Sequence, residues 1–297
     1  MNTSLPIPPN GRRCRAALGA AGLLAVLAAP ARAQWTALTT IKPDTTQFPA
    51  GLLFGDHDLS GDGGLVVFEG QDPLEAFPKG LYTRDLATDT TTRHLGISHK
   101  EIQYPAIDRD GDVLAFASGS LELPTAYNGW TQVWVVDGGV IELISATATG
   151  NRAAGHSIEP RLSDDGQVVV FSSTAMDLVG GVTGGKYNVF RHDRAGAGAT
   201  TLISISTTGG GADQNCNDPD VSGDGTQVVF WSPASNLVAG DGNGSNDVSV
   251  RDVTAGQTVR VSVGPGGVEA NGPSYWPAIS EDGPWVVFYS QATNLAG

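Results

Sequence analysis

A ten-residue phrase recurs five times along the chain, as LSGDGGLVVF ending at Phe68, IDRDGDVLAF at Phe116, LSDDGQVVVF at Phe171, VSGDGTQVVF at Phe230 and ISEDGPWVVF at Phe288. Its Asp-Gly pairs begin at Asp62, Asp110, Asp165, Asp224 and Asp282, so the period runs 48, 55, 59 and 58 residues. Self-similarity at such a period means copies of one small unit, each burying its apolar face against the next.

Each unit reads as four strands. In the third copy these cover 159–164, 168–173, 188–193 and 200–206, and in the fourth 218–223, 228–232, 247–252 and 258–263. An Asp-Gly pair between two β-type runs is a strong hairpin signal, because glycine tolerates the positive φ that such turns demand. The continuous run from Val168 to Phe171 predicts a strand buried on both faces. Beyond the leader no stretch keeps apolar residues at helical spacing, and 40 glycines and 17 prolines interrupt any that might. Four strands in one such period is the size of a propeller blade, whereas solenoid coils repeat faster. The expected fold is therefore all-β: a β-propeller of four-stranded antiparallel blades, about five of them present and the last incomplete.

Residues 1–33 read as a signal peptide. Arg12, Arg13 and Arg15 precede an apolar stretch at 16–29, too short to span a bilayer, and Ala31-Arg32-Ala33 is a small-x-small cleavage site. The expected product is periplasmic or extracellular after cleavage near Ala33, exported by the general secretory route, with the propeller domain at 34–297. QWTALTTI at 34–41 reads as a strand that closes the ring. The fifth unit stops at Asn294-Leu295, before its third strand, so a C-terminally truncated propeller is expected. The chain has 17 basic against 31 acidic side chains, and the leader holds four of the arginines and no acid. Such a field disfavours nucleic acid and anionic membrane as partners, and a monomer is expected. Cys216 is the only cysteine after the leader, so an intrachain disulfide is excluded and stability must come from an apolar core.

The stretches Pro160 to Phe171, Pro219 to Phe230 and Pro277 to Phe288 share the pattern proline, strand, Ser-x-Asp-Gly, apolar strand. A second phrase follows: Ser173, Ala175, Asp177 and Leu178; Ser232, Ala234, Asn236 and Leu237; Ser290, Ala292, Asn294 and Leu295. Together these resemble the repeat of TolB-like (WD40-like) β-propellers of the bacterial periplasm, over almost the whole chain after the leader. The resemblance implies a blade, and proteins that serve as protein-binding platforms or as accessory domains beside hydrolases; it does not choose between them.

No nucleophile elbow, zinc helix or phosphate-binding glycine loop is present, and the five histidines are scattered singly. The long connections 174–187, 207–217, 233–246 and 264–274 fall on one face, opposite the Asp-Gly turns, and function concentrates on such loops. Tyr127, Trp130 and His156 on that face are the candidate binding residues, while Trp276 is expected to pack between blades. No cofactor is expected, with one alternative. The stretch from Asp241 to Asp247 places oxygen side chains at alternate positions, as calcium prefers, though a turn rich in Asp, Asn and Gly needs no metal. The sequence thus reads as a non-enzymatic scaffold binding a protein or polysaccharide through its long-loop face. The alternative is a hydrolase, or the accessory propeller of one, acting on peptide or carbohydrate.

Overall fold

The structure, a computed structural model, describes residues 57–71, 79–97, 102–195 and 198–296; the expected leader and the strand at 34–41 lie outside them. Four sheets have four strands each. The first contains β1 (His57–Leu59), β2 (Leu65–Gln71), β3 (Lys79–Asp85) and β4 (Thr90–Ile97), and the second β5 (Ile102–Ile107), β6 (Val113–Ser118), β7 (Gln132–Asp137) and β8 (Val140–Leu143). The third contains β9 (Ser157–Leu162), β10 (Val168–Ser173), β11 (Asn188–Asp193) and β12 (Ala199–Leu202). The fourth contains β13 (Asn217–Val221), β14 (Gln227–Ser232), β15 (Asp247–Asp252) and β16 (Gln257–Arg260). After the small hairpin β17 (Val263–Gly264) and β18 (Val268–Glu269), a fifth sheet pairs β19 (Ser274–Ile279) with β20 (Val286–Ser290).

Every pairing is antiparallel between sequence neighbours, and the first strands adjoin one another in order: β1 with β5, β5 with β9, β9 with β13, β13 with β19. Sheets that meet along their first strands and present their fourth outward are the blades of a β-propeller. No α-helix occurs among the described residues.

The recurring phrase is legible as hydrogen bonding. In Ser-x-Asp-Gly the serine carbonyl accepts the glycine N–H at 2.9–3.0 Å, at Ser60, Ser163, Ser222 and Ser280. Only the glycine of each pair has positive φ, 65° to 86° across the five copies, so each is a four-residue turn closed by a left-handed glycine. The serine hydroxyl donates to the aspartate at 2.7 Å in copies one, three and four, and accepts the N–H that opens the next strand, as Ser222 does from Gln227 at 3.0 Å. Copy two has Asp108 instead of serine, and its carboxylate accepts from Gly111 and Val113.

The second phrase is a clasp between loops. Ser173, Ser232 and Ser290 accept the N–H of Ala175, Ala234 and Ala292, and Asp177, Asn236 and Asn294 then accept from Ala154, Asp213 and Asn271 on the preceding connection. A third device was not anticipated. The fourth strands are shorter than the sequence predicts, four residues in β12 and β16, because two successive N–H groups, Ile203 and Ser204, converge on the Val189 carbonyl and end the ladder in a bulge. Ser145, Ser204 and Ser262 at these bulges donate to Gln132 Oε1, Asn188 Oδ1 and Asp247 Oδ1 at 2.6–2.8 Å.

Packing follows the same repeat. β6 and β10 are buried at every residue, as the apolar run predicted, and Phe116, Phe171 and Phe230 are fully enclosed. At the axis the residue x of the second, third and fourth turns donates its N–H to the corresponding carbonyl of the next sheet: Arg109 to Asp164 at 3.2 Å, Asp164 to Gly223 at 2.9 Å, Gly223 to Glu281 at 2.8 Å. The Arg109 guanidinium adds ion pairs to Asp164 and Glu281, both at 3.4 Å.

Ser222→Ala removes one donor and one acceptor at a buried turn, so a loss of about 1–2 kcal/mol in unfolding free energy is expected. Urea denaturation followed by tryptophan emission reads it; an unchanged midpoint would show that the hydroxyl does not hold the hairpin.

Candidate functional site

Two of the three candidate residues, Trp130 and His156, meet, and Tyr127 lies on the same connection as Trp130. The connection after β6 folds over the one leading into β9, and there the Trp130 ring meets the His156 imidazole edge-on at 4.8 Å between centroids. Thr131 donates its N–H to His156 Nδ1 at 3.3 Å, which places the proton of the neutral ring on Nε2. Trp130 remains 39% exposed. Tyr127 lies 5.7 Å from the guanidinium of Arg152, which also lies 4.9 Å from the Trp134 ring and was not among the candidates. Arg152 is buried; its Nη2 donates to the carbonyls of Ser120, Leu123 and Thr125 at 3.2–3.3 Å and its Nε to Thr125 Oγ1 at 3.0 Å. Asn128 Nδ2 returns to the Arg152 and Ala153 carbonyls. The loop is thus wound around a cation, and Trp130 stands on it as a fixed aromatic surface. Comparing the copies would have found Arg152, since Gly211 and Glu269 hold its place in the next two.

The acidic loop gathers three carboxylates and one guanidinium. Asp241, Asp247 and Glu269 bring three carboxylate oxygens within 4.8 Å of one another. Arg260 reaches all three, at 3.5 Å from Asp241, 3.2 Å from Asp247 and in a short contact with Glu269. Asp247 stands where the other sheets have Gln132 and Asn188 and makes the same serine bond, which is a scaffolding role. Copy four carries an acid at this amide position and an arginine where copies two and three have Leu143 and Leu202.

His192, His94 and Cys216 sit in structural surroundings. His192 bonds Thr200 at 2.9 Å and His94 bonds Thr83 at 2.8 Å; burial lowers the pKa of both. Cys216 is enclosed and burial pushes its thiol up to about 12, far from a reactive thiolate. A cleft of about 440 Å³ lined by Thr207, Leu237, Arg251 and Thr258 gathers no set of convergent acids or bases.

A feature of the first strands escaped the sequence reading. Tyr104, Glu159, Asp218 and Trp276 each precede a proline, each has φ between 48° and 58°, and each falls at a register shift with the second strand. The left-handed conformation costs such residues about 1–3 kcal/mol apiece and persists only where the surroundings hold it. Glu159 Oε2 accepts from Ser172 Oγ at 3.1 Å and from the Asp218 N–H of the neighbouring sheet at 2.8 Å, and Asp218 Oδ2 accepts from Trp231 Nε1 at 2.8 Å. Trp276 lies 5.7 Å from Tyr275 and 5.5 Å from Tyr289 within the fifth sheet and is 47% exposed, on a sheet that no further sheet follows among the described residues. The signal was in the sequence, as a proline at the same place in four copies.

No family model and no curated protein matches the chain. Among solved structures, TolB from Acinetobacter baumannii is similar at 16% identity and a TM-score of 0.49, over 82% of this chain and 50% of that one. A puromycin-hydrolyzing peptidase of Mycobacterium tuberculosis is similar at 18% and 0.49, over 82% of this chain and 35% of that one, and an oligogalacturonate lyase in complex with manganese at 16% and 0.48, over 72% and 55%. The chain spans about half the length of the first of these, and its fold assignment rests on the sheet topology above.

Asp241 gives a pH-dependent test. Burial first, and then Asp247, push its carboxyl up from 3.8 to about 6, against the opposing pull of Arg260. The folded chain holds this proton more tightly than the unfolded one, so the group favours folding at low pH and that contribution is lost as pH rises from about 4 to about 6. Asp241→Asn is expected to flatten thermal stability across that window and to raise Tm at pH 7. A lowered Tm at pH 7 would show that the ionised carboxylate is a net stabiliser through Arg260.

Proposed function

We propose that the chain is a non-catalytic propeller that binds a protein or polymer partner through the face built by its long loops. The observation that carries this reading is the contact of Trp130 with His156, beside a loop that Arg152 orders and that carries Tyr127, with the indole 39% exposed. Rigid aromatics on an ordered loop bind without the entropic cost of being fixed in place. The repeated polar groups support it too, since the turn serines, the clasp residues and the bulge serines are all engaged in holding blades. In this reading the protein acts as a monomer in the periplasm or outside the cell after cleavage near Ala33, without cofactor, nucleic acid or membrane insertion. Arg260 serves the acidic loop as its cation in place of calcium.

The hydrolase alternative would rest on Glu159 and Asp218, which lie on neighbouring first strands. Each already accepts from N–H or O–H donors: Glu159 from Ser172 and the Asp218 N–H, and Asp218 from the Trp231 indole. The decisive experiment has two arms. Immobilised full-length protein is expected to retain a partner from periplasmic extract or a soluble polysaccharide, and Trp130→Ala to weaken that retention about tenfold or more with unchanged circular dichroism. Turnover of peptide or glycan substrates that vanishes in Glu159→Gln would overturn the binding reading in favour of the enzyme.

A further inference from the structure

The five copies serve as an internal alignment, and one arginine loses in the fourth sheet the acid it has in the first. Arg84 and Arg251 hold the same place, one residue before the aspartate that ends the third strand. Each donates from Nη1 to the threonine opposite it on the fourth strand, Arg84 to Thr91 at 2.9 Å and Arg251 to Thr258 at 3.2 Å. In the first sheet the residue just before the fourth strand is Asp89, at φ 59°, and its carboxylate pairs with Arg84 Nη2 in a short contact. In the fourth that residue is Gly256, at φ 68°, and a Cβ placed on it would come 3.9 Å from Arg251 Nη2. Among the described residues no acid lies within ion-pair distance of Arg251. Asp252, its chain neighbour, turns instead to the Ala255 N–H at 2.7 Å. Burial lowers the Arg251 pKa against the pull of Asp252 alone, whereas at Arg194 burial is outweighed by Asp137 and Glu142 and the pKa is raised.

Arg251 lies between two complete blades. It stands opposite Val228 in the register and so shares that residue's face of the fourth sheet, and Val228 packs in one cluster with Val168, Val170 and Val189 of the third. At the preceding junction Arg194 spans from the third sheet to Asp137 and Glu142 of the second, at 2.8 and 2.9 Å. Val253 takes the place of Arg194 in the fourth sheet, each sending its N–H to the carbonyl just after its own Asp-Gly pair, and a valine makes no such strut. A cleft of about 440 Å³ opens there instead, lined by Arg251, Gly256 and Thr258 and by the aliphatic side chains of Ile205, Leu237 and Val238. Arg251 Nε and Nη2 make no bond to the described residues and, unlike Arg84 Nε, are not sealed from solvent. We propose that this cleft binds a small carboxylate with an aliphatic body, seated on Arg251 as Asp89 is seated on Arg84. A guanidinium offers paired donors that match a carboxylate, and the apolar wall suits an alkyl group beside it. The formal charge of −14 opposes ligands of higher negative charge, such as phosphate. The site is separate from the long-loop aromatics and does not depend on the reading given to them.

The test uses the full-length protein and 4-methylpentanoate, with 4-methylpentanamide as its uncharged counterpart and inorganic phosphate as a second anion. Saturation-transfer NMR at low salt follows each titration. The carboxylate is expected to bind about fivefold or more tighter than either the amide or phosphate. Arg251→Gln is expected to remove that advantage. Gly256→Asp rebuilds the pair of the first sheet at a left-handed position that aspartate tolerates, so it is expected to raise Tm and to abolish carboxylate binding. Equal binding of 4-methylpentanoate and its amide would overturn the site, as would a preference that survives Arg251→Gln with unchanged circular dichroism. If Arg251→Gln does not fold, Gly256→Asp decides alone, and undiminished carboxylate binding in it overturns the proposal. Phosphate binding as tight as the carboxylate would overturn the ligand class. No partner enters these titrations, so their failure leaves Trp130 and the long-loop face standing, and a failure of that face leaves this cleft to be judged by its own result.

Discussion

Each blade of this protein is a sheet that cannot be stable alone, because its second strand is apolar on both sides. β6 and β10 have no solvent face, and the valines and phenylalanine that line them require another sheet on the left and another on the right. That demand for two neighbours orders the sheets around an axis and forces the first strands together. The fifth sheet shows the same strand with one side lacking such cover: β20 alternates half-buried and exposed residues, and Trp285 beside it is 73% exposed.

Much of this was legible in the sequence, and the reason is that the blade is pinned by short-range chemistry. Ser163, Asp165 and Gly166 fix a turn with three groups that lie within four positions of one another, so their spacing is visible in one dimension. Asp177 clasping Ala154 spans 23 residues and is visible in the sequence only as a repeated phrase, whose purpose the fold supplies. The ends of the fourth strands were misread because Ile203 and Ser204 look like strand residues and are bulge residues, a distinction made by one shared carbonyl on β11.

The candidate sites divide along another line. Tyr127, Trp130 and His156 were found because aromatic and imidazole groups on a long loop stand out by type, whereas Arg152, which orders that loop, reads as an ordinary basic residue until its buried position is known. At the acidic loop the sequence supplied carboxylates at alternating positions but gave no hint that Arg260, from the neighbouring β16, would lie among them. Charge patterns along a chain do not reveal which counter-charge the fold brings in.

The main-chain bonds that link Arg109, Asp164, Gly223 and Glu281 around the hub have a bearing on how such a molecule arises. Because peptide groups make the connection, the residue at that place is free to be arginine, aspartate, glycine or glutamate without breaking the circuit. A gene segment encoding one unit brings its own donor and acceptor for joining the wheel. Copying that segment lengthens the circumference while sparing the coupling, and side chains are left to diverge.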